Sequence, residues 1–292
     1  MICVTRDNGA AARRRRWRLR AGVAMLAAIL LAPAAAAAAD LNDYPLRGSY
    51  ADMFSAKSYS RWDGWNFGIQ LGASNMNTDF GNSTSSLVAF ILRESTLESE
   101  AVPSNWTTLP NNTTNGRSYG AFLGYNMQWE QLVVGLDLAY NRPLSLASSA
   151  SDTLERIVGT SDGVANDVTI VAQSSIKLVD YGTVRARAGY TVGQFLPYAV
   201  LGAAVGRFNY TNSATVTVIQ TSSGGSSTFG PITASNGKDG AIVGGFLGGL
   251  GVDVAILPNL FVRAEWEVIA FAPVSGIRTN INTGRVGLGL KF

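Results

Sequence analysis

Eight segments of this chain alternate apolar residues with small or polar ones, and the connections between them are alternately long and short. Alternation with period two is the pattern of a β-strand with two unlike faces. The pattern is clearest in residues 281–292, where Val286, Leu288, Leu290 and Phe292 alternate with glycines and cations. The eight predicted strands lie at about 63–76, 117–129, 132–141, 176–190, 196–210, 241–257, 260–270 and 281–292.

The lengths of the connections predict how these strands are arranged. Three connections are tight turns, whereas the polar stretches 77–115, 142–173 and 209–238 are long. Strands of this length can cross the hydrocarbon layer, and short turns alternating with long loops are typical of outer-membrane barrels. Closure removes the unpaired strand edges that lipid cannot hydrate. We therefore predict an all-β fold: an eight-stranded antiparallel up-and-down transmembrane β-barrel with short periplasmic turns and long extracellular loops.

A soluble barrel would show the same alternation. An eight-stranded lipocalin-like barrel would bury the apolar face and expose the charged one. Alternation alone does not distinguish the inside of a barrel from its outside. The glycines and the balanced charges of the polar face favour the membrane barrel, because they suit a crowded, narrow lumen.

The first 39 residues have the pattern of a secretory signal peptide. Arginines cluster over 13–20, and the apolar run 21–39 ends in three alanines before Asp40. This order is typical of exported precursors, and Pro33 argues against a retained helical anchor. The arginine block leaves both Sec and twin-arginine export open, with Sec favoured. The predicted organisation is a removed signal peptide 1–39, a periplasmic N-terminal extension 40–61 and an outer-membrane β-barrel 62–292.

Composition excludes several classes of function. Removing the seven arginines and one aspartate of the signal peptide leaves 16 basic and 19 acidic residues, so the net charge changes from +3 to −3. A nucleic-acid partner is therefore not expected. The chain has no histidine, and its one cysteine, Cys3, lies in the predicted signal peptide. His-dependent nucleophiles and His-ligated zinc are excluded, and we expect no catalytic residue, no cofactor, no metal and no enzyme activity.

The charged residues on the polar strand faces form the candidate site. Residues two apart on a strand share a face, so these charges would point together into the barrel. We predict an internal ion-pair and water network, in which Arg285 and Lys291 of the closing strand face the carboxylates of the neighbouring strand 260–270. It would act either as a selectivity or gating network of a channel or as a structural filling, and the narrow interior of eight strands favours the filling. Its predicted members are Asp137, Arg185, Arg187, Asp253, Arg263, Glu265, Glu267, Arg285 and Lys291.

Aromatic residues at strand ends predict the two membrane interfaces. Outer-membrane barrels carry girdles of aromatic side chains at both interfaces. Trp129, Tyr140 and Tyr190 lie at strand ends, and we predict that they belong to such girdles. The alternative is that they are ordinary strand residues, because aromatic side chains also favour β structure.

Three segments of the chain resemble one family. They read W-D-G-W-N-F-G-I-Q-L-G at 62–72, Y-G-T-V-R-A-R-A-G-Y at 181–190 followed by L-P-Y at 196–198, and R-V-G-L-G-L-K-F at 285–292. Together they resemble the α-proteobacterial outer-membrane surface-antigen barrels of the OmpA-like transmembrane type, which are also called porin-like. The resemblance implies an eight-stranded barrel in the outer membrane. It also implies that the apolar residues of the closing strand form a C-terminal insertion signal: Val286, Leu288, Leu290 and Phe292.

The implied partners are outer-membrane lipid, lipopolysaccharide and the barrel-assembly machinery, and the implied location after export is the cell outer membrane. Asn66 and Leu290 replace aromatic residues that are usual in the family, and the long loops leave surface interactions open. The main hypothesis is a structural barrel that contributes to envelope integrity and surface display. The alternatives are a small-solute porin and an adhesin or receptor acting through the loops 77–115, 142–173 and 209–238. Solute conduction and the oligomeric state stay open.

Overall fold

The structure is a computed structural model that describes residues 61–106 and 109–292. The predicted signal peptide, and all but the last residue of the predicted extension 40–61, lie outside the described residues. The described part contains nine strands and, between the first two, a short helical segment. The strands are β1 (Gly64–Asp79), β2 (Asn112–Trp129), β3 (Leu132–Pro143), β4 (Leu146–Gly159), β5 (Ala165–Tyr190), β6 (Phe195–Ser222), β7 (Gly225–Leu257), β8 (Leu260–Phe271) and β9 (Arg278–Lys291).

Eight of the nine strands close into a ring. Each is antiparallel to its neighbours, in the order β3-β2-β1-β9-β8-β7-β6-β5, and pairing of β3 with β5 completes the circle. Phe67 faces Leu290 across the seam between β1 and β9, and Asp137 faces Arg185 between β3 and β5. The predicted fold class is confirmed: the barrel is eight-stranded, antiparallel and up-and-down.

Tight turns mark one end of the barrel. Residues 130–131, 191–194 and 258–259 connect consecutive strands there, beside the beginning of β1 and the end of β9. We call this the turn end, and the opposite end the ribbon end. Short turns of outer-membrane barrels face the periplasm, so the sequence-based prediction puts the ribbon end at the cell surface.

The predicted loop at 142–173 is wrong, because most of this stretch is strand. β3 ends at Pro143, and β4 continues in register beside the outer half of β5. The interruption is local, since proline has no N–H to donate to a strand ladder. The next residue, Leu144, donates its N–H to the carbonyl oxygen of Arg117 at 2.8 Å.

The predicted loop at 209–238 is also wrong. β6 and β7 continue as a long hairpin that turns at Ser223-Gly224. With β4 and the outer half of β5 they form a four-stranded sheet beyond the barrel, which we call the ribbon (residues 146–178 and 209–240). The ribbon was predicted to be loops because its sequence is rich in the polar residues serine and threonine. Threonine and valine, however, are β-branched and favour strands when a neighbouring strand is available.

The predicted loop at 77–115 contains two helices, α1 (Ser85–Leu92) and α2 (Thr96–Ala101), followed by a 3₁₀ turn at Pro103–Asn105. We call residues 80–106 the lid. Leu87 and Val88 of the lid share a buried apolar cluster with Ile170 and Val216 of the ribbon. In the described part of the chain, no helix is long and apolar enough to cross a membrane.

The outward faces of the barrel strands form an apolar band. Ile242 is 77% exposed and Phe246 is 81% exposed, whereas Val243 and Leu247 beside them are buried. So large an exposed apolar surface fits the hydrocarbon layer and not water. The apolar face of the alternation therefore lies on the outside of the barrel, opposite to the lipocalin-like alternative.

Candidate functional site

The barrel interior contains a layer of eight charged side chains from β3, β5, β7, β8 and β9. Four are arginines and four are carboxylates, so the layer has no net formal charge. None is more than 5% exposed, and charges buried this deeply are tolerated only when they are paired and hydrogen-bonded. We call these residues the ionic layer: Asp137, Arg185, Arg187, Asp253, Arg263, Glu265, Glu267 and Arg285.

Two arginines and two glutamates form one half of the ionic layer. Arg185 Nη1 contacts Glu265 and lies 3.0 Å from Glu267 Oε2. Arg285 Nη1 lies 3.1 Å from Glu265 Oε1, and its Nη2 contacts Glu267. Each arginine therefore bridges both glutamates. Arg285 Nη2 also donates a hydrogen bond to the Tyr181 hydroxyl oxygen at 3.2 Å.

Arg187, Arg263 and Asp253 form the other half. Arg263 donates from Nε and Nη2 to the two oxygens of Asp253, at 2.9 and 3.0 Å, in the bidentate geometry of strong ion pairs. Arg187 Nη2 donates to Asp253 Oδ2 at 2.7 Å. Arg187 lies 4.0 Å from the centre of the Tyr198 ring, and Arg263 lies 4.1 Å from that of Phe122. These ring faces offset the excess of positive charge around a single carboxylate.

Asp137 joins the two halves. Its Oδ2 lies 3.3 Å from Arg263 Nη1, 3.6 Å from Arg185 Nη2 and 3.7 Å from Arg187 Nη1. The strand register explains this position, because Asp137 lies directly opposite Arg185. The eight ions therefore form one continuous network across the barrel.

Buried apolar clusters lie on both sides of the ionic layer, and buried amide and hydroxyl side chains also face the lumen there. At the turn end, Trp62, Phe122 and Phe261 belong to one buried cluster. At the ribbon end, Met76 and Phe208 belong to a larger one. An eight-stranded barrel has an interior just wide enough for side chains. The filling extends from the turn end through the ionic layer to the ribbon end.

The structure brings together eight of the nine predicted network residues. The ninth, Lys291, lies at the turn end. Its Nζ donates to the carbonyl oxygen of Arg61 at 2.8 Å and lies 4.1 Å from the centre of the Trp62 ring. Alternation directed Lys291 inward correctly, but its place at the end of β9 puts it at the edge of the lumen.

The predicted interface aromatics all project from the outer face. Trp129 and Tyr190 lie at the turn end, whereas Tyr140 lies towards the ribbon end, and each is more than half exposed. The four residues of the predicted insertion signal also project outward: Val286, Leu288, Leu290 and Phe292.

Sequence analysis does not predict the aromatic partners of the ionic layer. β6 is apolar on both faces, so its inward side has no recognisable pattern. Tyr198 faces inward and donates its hydroxyl to Glu265 Oε2 at 3.1 Å. Gly251 lies opposite Tyr198 in the register, and a Cβ there would come within 2.4 Å of the Tyr198 ring. The inward glycine on β7 leaves the space that the Tyr198 ring occupies. Such a glycine is the sequence signal that could have indicated an inward aromatic residue on the neighbouring strand.

A closed barrel with an apolar outer band and a buried ionic layer is a transmembrane β-barrel. Residues 24–292 match the family model of the outer membrane protein beta-barrel domain. The chain belongs to this family, and that membership places it in the outer membrane.

Several solved structures are similar to this chain. Ail, the attachment invasion locus protein of Yersinia pestis, is 13% identical with a TM-score of 0.33, over 79% of this chain and 99% of Ail. Neisserial surface protein A is 15% identical with a TM-score of 0.32, over 77% and 97%. OprG from Pseudomonas aeruginosa is 12% identical with a TM-score of 0.31, over 79% and 96%. No curated protein sequence matches the chain. These similarities are too distant to assign a role to it.

Proposed function

We propose that this protein is a structural outer-membrane barrel with a closed lumen, which contributes to envelope integrity and displays the ribbon and the lid at the cell surface. One observation carries the proposal: a neutral ionic layer lies between two buried apolar clusters, and buried amide and hydroxyl side chains occupy inward positions beside it. A porin needs a water-filled path through the barrel, lined by polar or charged groups. The filled interior therefore argues against a small-solute porin.

The ionic layer also argues against an enzyme. Glu265 and Glu267 each contact two arginines inside a closed interior. A general acid or base must reach a substrate proton within hydrogen-bond distance, and neither carboxylate is exposed to one. Export through residues 1–39, insertion by the barrel-assembly machinery and assignment to the α-proteobacterial surface antigens rest on sequence motifs and stay predictions.

Adhesion through the ribbon is the second candidate, favoured by the length of the ribbon. Residues 209–222 of β6 and 225–238 of β7 extend past the barrel by roughly 45 Å, at about 3.3 Å per residue. A variant that joins Ser213 to its register partner Ser235 through a tight turn removes residues 214–234, which are most of this hairpin. Loss of cell binding by the folded variant would support adhesion, and full retention would contradict it.

Liposome swelling tests the proposed closed barrel. The full chain is refolded, and folding is established by the shift in gel mobility between boiled and unboiled samples. Proteoliposomes with folded protein should swell in sugar solutions no faster than empty liposomes, whereas a general porin serves as the positive control. Sugar-dependent swelling in proportion to the amount of folded protein would contradict the proposal.

A further inference from the structure

Four cations lie on the outer surface just beyond the apolar band at the ribbon end. Arg117 on β2 and Arg142 on β3 each lie two positions past an outward tyrosine, and Lys177 on β5 and Arg207 on β6 are exposed on the same outer surface. We call these four residues the basic belt. In outer-membrane barrels, the aromatic girdle marks the interface where head groups begin, so the belt lies at head-group height.

The basic belt is continuous because its strands are neighbours. Arg142 on β3 faces Tyr119 on β2, Asp180 on β5 faces Arg207 on β6, and β3 pairs with β5. Neighbouring strands lie about 4.8 Å apart, so the belt covers a patch roughly 15 Å wide. Guanidinium and ammonium groups on long side chains can converge over that distance.

The charge of the basic belt is largely uncompensated. Asp180 forms an ion pair with Arg207 and accepts a hydrogen bond from Tyr140 at 3.1 Å. Within the described residues, Arg117, Arg142 and Lys177 form no ion pair. On the opposite side of the barrel, Arg278 faces Asp79 in the register, and the other outward positions beyond the band are asparagines: Asn75, Asn77, Asn280 and Asn282. The net positive charge is therefore greater on the side formed by β2, β3, β5 and β6.

Two surface depressions flank the basic belt, and each contains hydroxyl and amide groups among apolar side chains. A depression of about 540 Å³ beside Arg117 is lined by Leu144 and by polar side chains that include Asn115 and Ser145. A second of about 250 Å³ beside Lys177 is lined by Ser149, Ser175, Asn209 and Thr211. Hydroxyl and amide groups next to cations suit a ligand that carries both sugar hydroxyls and phosphates.

We propose that the basic belt binds the phosphorylated sugar head group of the outer-leaflet glycolipid, lipopolysaccharide. Phosphates would contact Arg117, Arg142 and Lys177, the sugars would occupy the flanking depressions, and the acyl chains would lie along the apolar band below. Clustered cations at a membrane surface are a recognised way of binding anionic lipid head groups. The lipid is chosen over free phosphate because the belt adjoins the lipid-facing surface. The proposal rests on the outward orientation of the ribbon end in the proposed function.

The test compares binding of lipid A, with and without its phosphates, to the full-length protein in neutral detergent micelles and magnesium-free buffer. The belt variant combines Arg117→Gln, Arg142→Gln and Lys177→Gln. The control variant combines Arg93→Gln, Arg156→Gln and Lys238→Gln, which removes the same charge from exposed positions of the lid and the ribbon. Lys238 is informative because it faces Tyr210 on the inner side of the ribbon, at the height of the belt.

The belt variant should bind lipid A about 100-fold more weakly, since each cation at an anionic lipid surface contributes about a fivefold factor. The control variant should change binding by less than about threefold. Removal of the lipid phosphates should abolish the difference in affinity between the wild type and the belt variant. Excess inorganic phosphate should not compete with lipid A for binding. A belt variant that binds within about threefold of the wild type, or equal binding of the dephosphorylated lipid, would overturn the proposal.

The boiled and unboiled gel establishes that each variant is folded. Liposome swelling of the same preparations tests the closed barrel separately, because the belt lies outside the lumen.

Discussion

Arg263 binds Asp253 through two parallel hydrogen bonds inside the barrel, and both side chains are only 1% exposed. The two residues lie directly opposite each other on neighbouring strands. Arg187 donates a third hydrogen bond to the same carboxylate. One aspartate thus compensates much of the charge of two buried guanidinium groups, so its substitution is a direct test of the ionic layer.

Asp253→Asn should strongly destabilise the barrel. The amide keeps the shape of the side chain but removes the negative charge, so two buried arginines lose their main partner. Breaking a buried pair in this way costs about 3–5 kcal/mol. Urea unfolding in detergent, followed by tryptophan fluorescence, measures the change in the free energy of unfolding. The matched control is Glu94→Gln, which removes an exposed ion pair with Arg93 and should cost less than about 1 kcal/mol. Equal effects of the two substitutions would contradict the structural importance of the layer.

Gly251→Ala should also destabilise the barrel, by about 1–3 kcal/mol, because overpacking a filled interior forces side chains from their preferred positions. The added methyl group would come within 2.4 Å of the Tyr198 ring, which carries a hydroxyl bound to Glu265. Gly244→Ala on the same strand is the control, since its Cβ meets no atom within 4 Å. The same urea unfolding experiment applies. A neutral Gly251→Ala would show that the ring does not occupy this space.

The turn between β4 and β5 should become less protected against amide hydrogen exchange at acid pH. Hydrogen bonds from the Thr160 hydroxyl and the Val164 N–H hold the pKa of Asp162 below its ordinary value. Because the pKa is lower in the folded state, the stabilisation is fully present above the unfolded pKa of about 3.9 and is lost as the pH falls through the folded value. Hydrogen exchange of the Val164 amide measures it. In the wild type, the protection factor of this amide should decrease as the pH is lowered. In Asp162→Asn it should be low and independent of pH. Identical pH profiles for the two proteins would show that the Asp162 carboxylate does not stabilise the turn.

Phe292→Ala should reduce assembly several-fold more than it reduces stability. The Phe292 ring stacks on Phe67 across the closing seam, with 5.6 Å between centres, and its N–H donates to Trp65 O at 2.9 Å. Loss of the ring contact costs about 0.5–1.5 kcal/mol, which the folded barrel should tolerate. Phe246→Ala is the control, because that ring also faces lipid but lies within β7. The measurement is the amount of heat-modifiable protein in outer-membrane fractions. Equal yields of the two variants would argue against a C-terminal insertion signal.

Alternation predicted the inward direction of the ions, and the adjacency of the last two strands predicted that Arg285 faces the carboxylates of β8. The other partners were not predicted. Arg185, Arg263 and Arg285 lie on strands with one clearly apolar face, and lipid on that side leaves only the lumen for a charge. Which carboxylate each arginine meets depends on the register between strands, which single strands do not specify. The position of a charged residue along the barrel axis also depends on the register between strands. Lys291 is the last residue of β9 and therefore lies at the turn end.

Polarity failed as a guide beyond the membrane. In the barrel, lipid makes the two faces of a strand unlike, so the period of two is visible in the sequence. The outer parts of β5, β6 and β7 contact water over much of their surface, and their serines and threonines resemble loop composition. Short alternating apolar runs, such as the one that contains Val168 and Ile170, pack beneath the lid and preserve the pattern there.

Single-channel recording in planar bilayers tests the closed lumen most directly. The folded full chain, at increasing amounts of inserted protein, should produce no discrete conductance steps, and the belt variant should be equally silent because its substitutions lie outside the lumen. Reproducible steps that scale with inserted protein and change in size with Arg185→Gln would show that the ionic layer lines a pore, and would contradict a structural barrel.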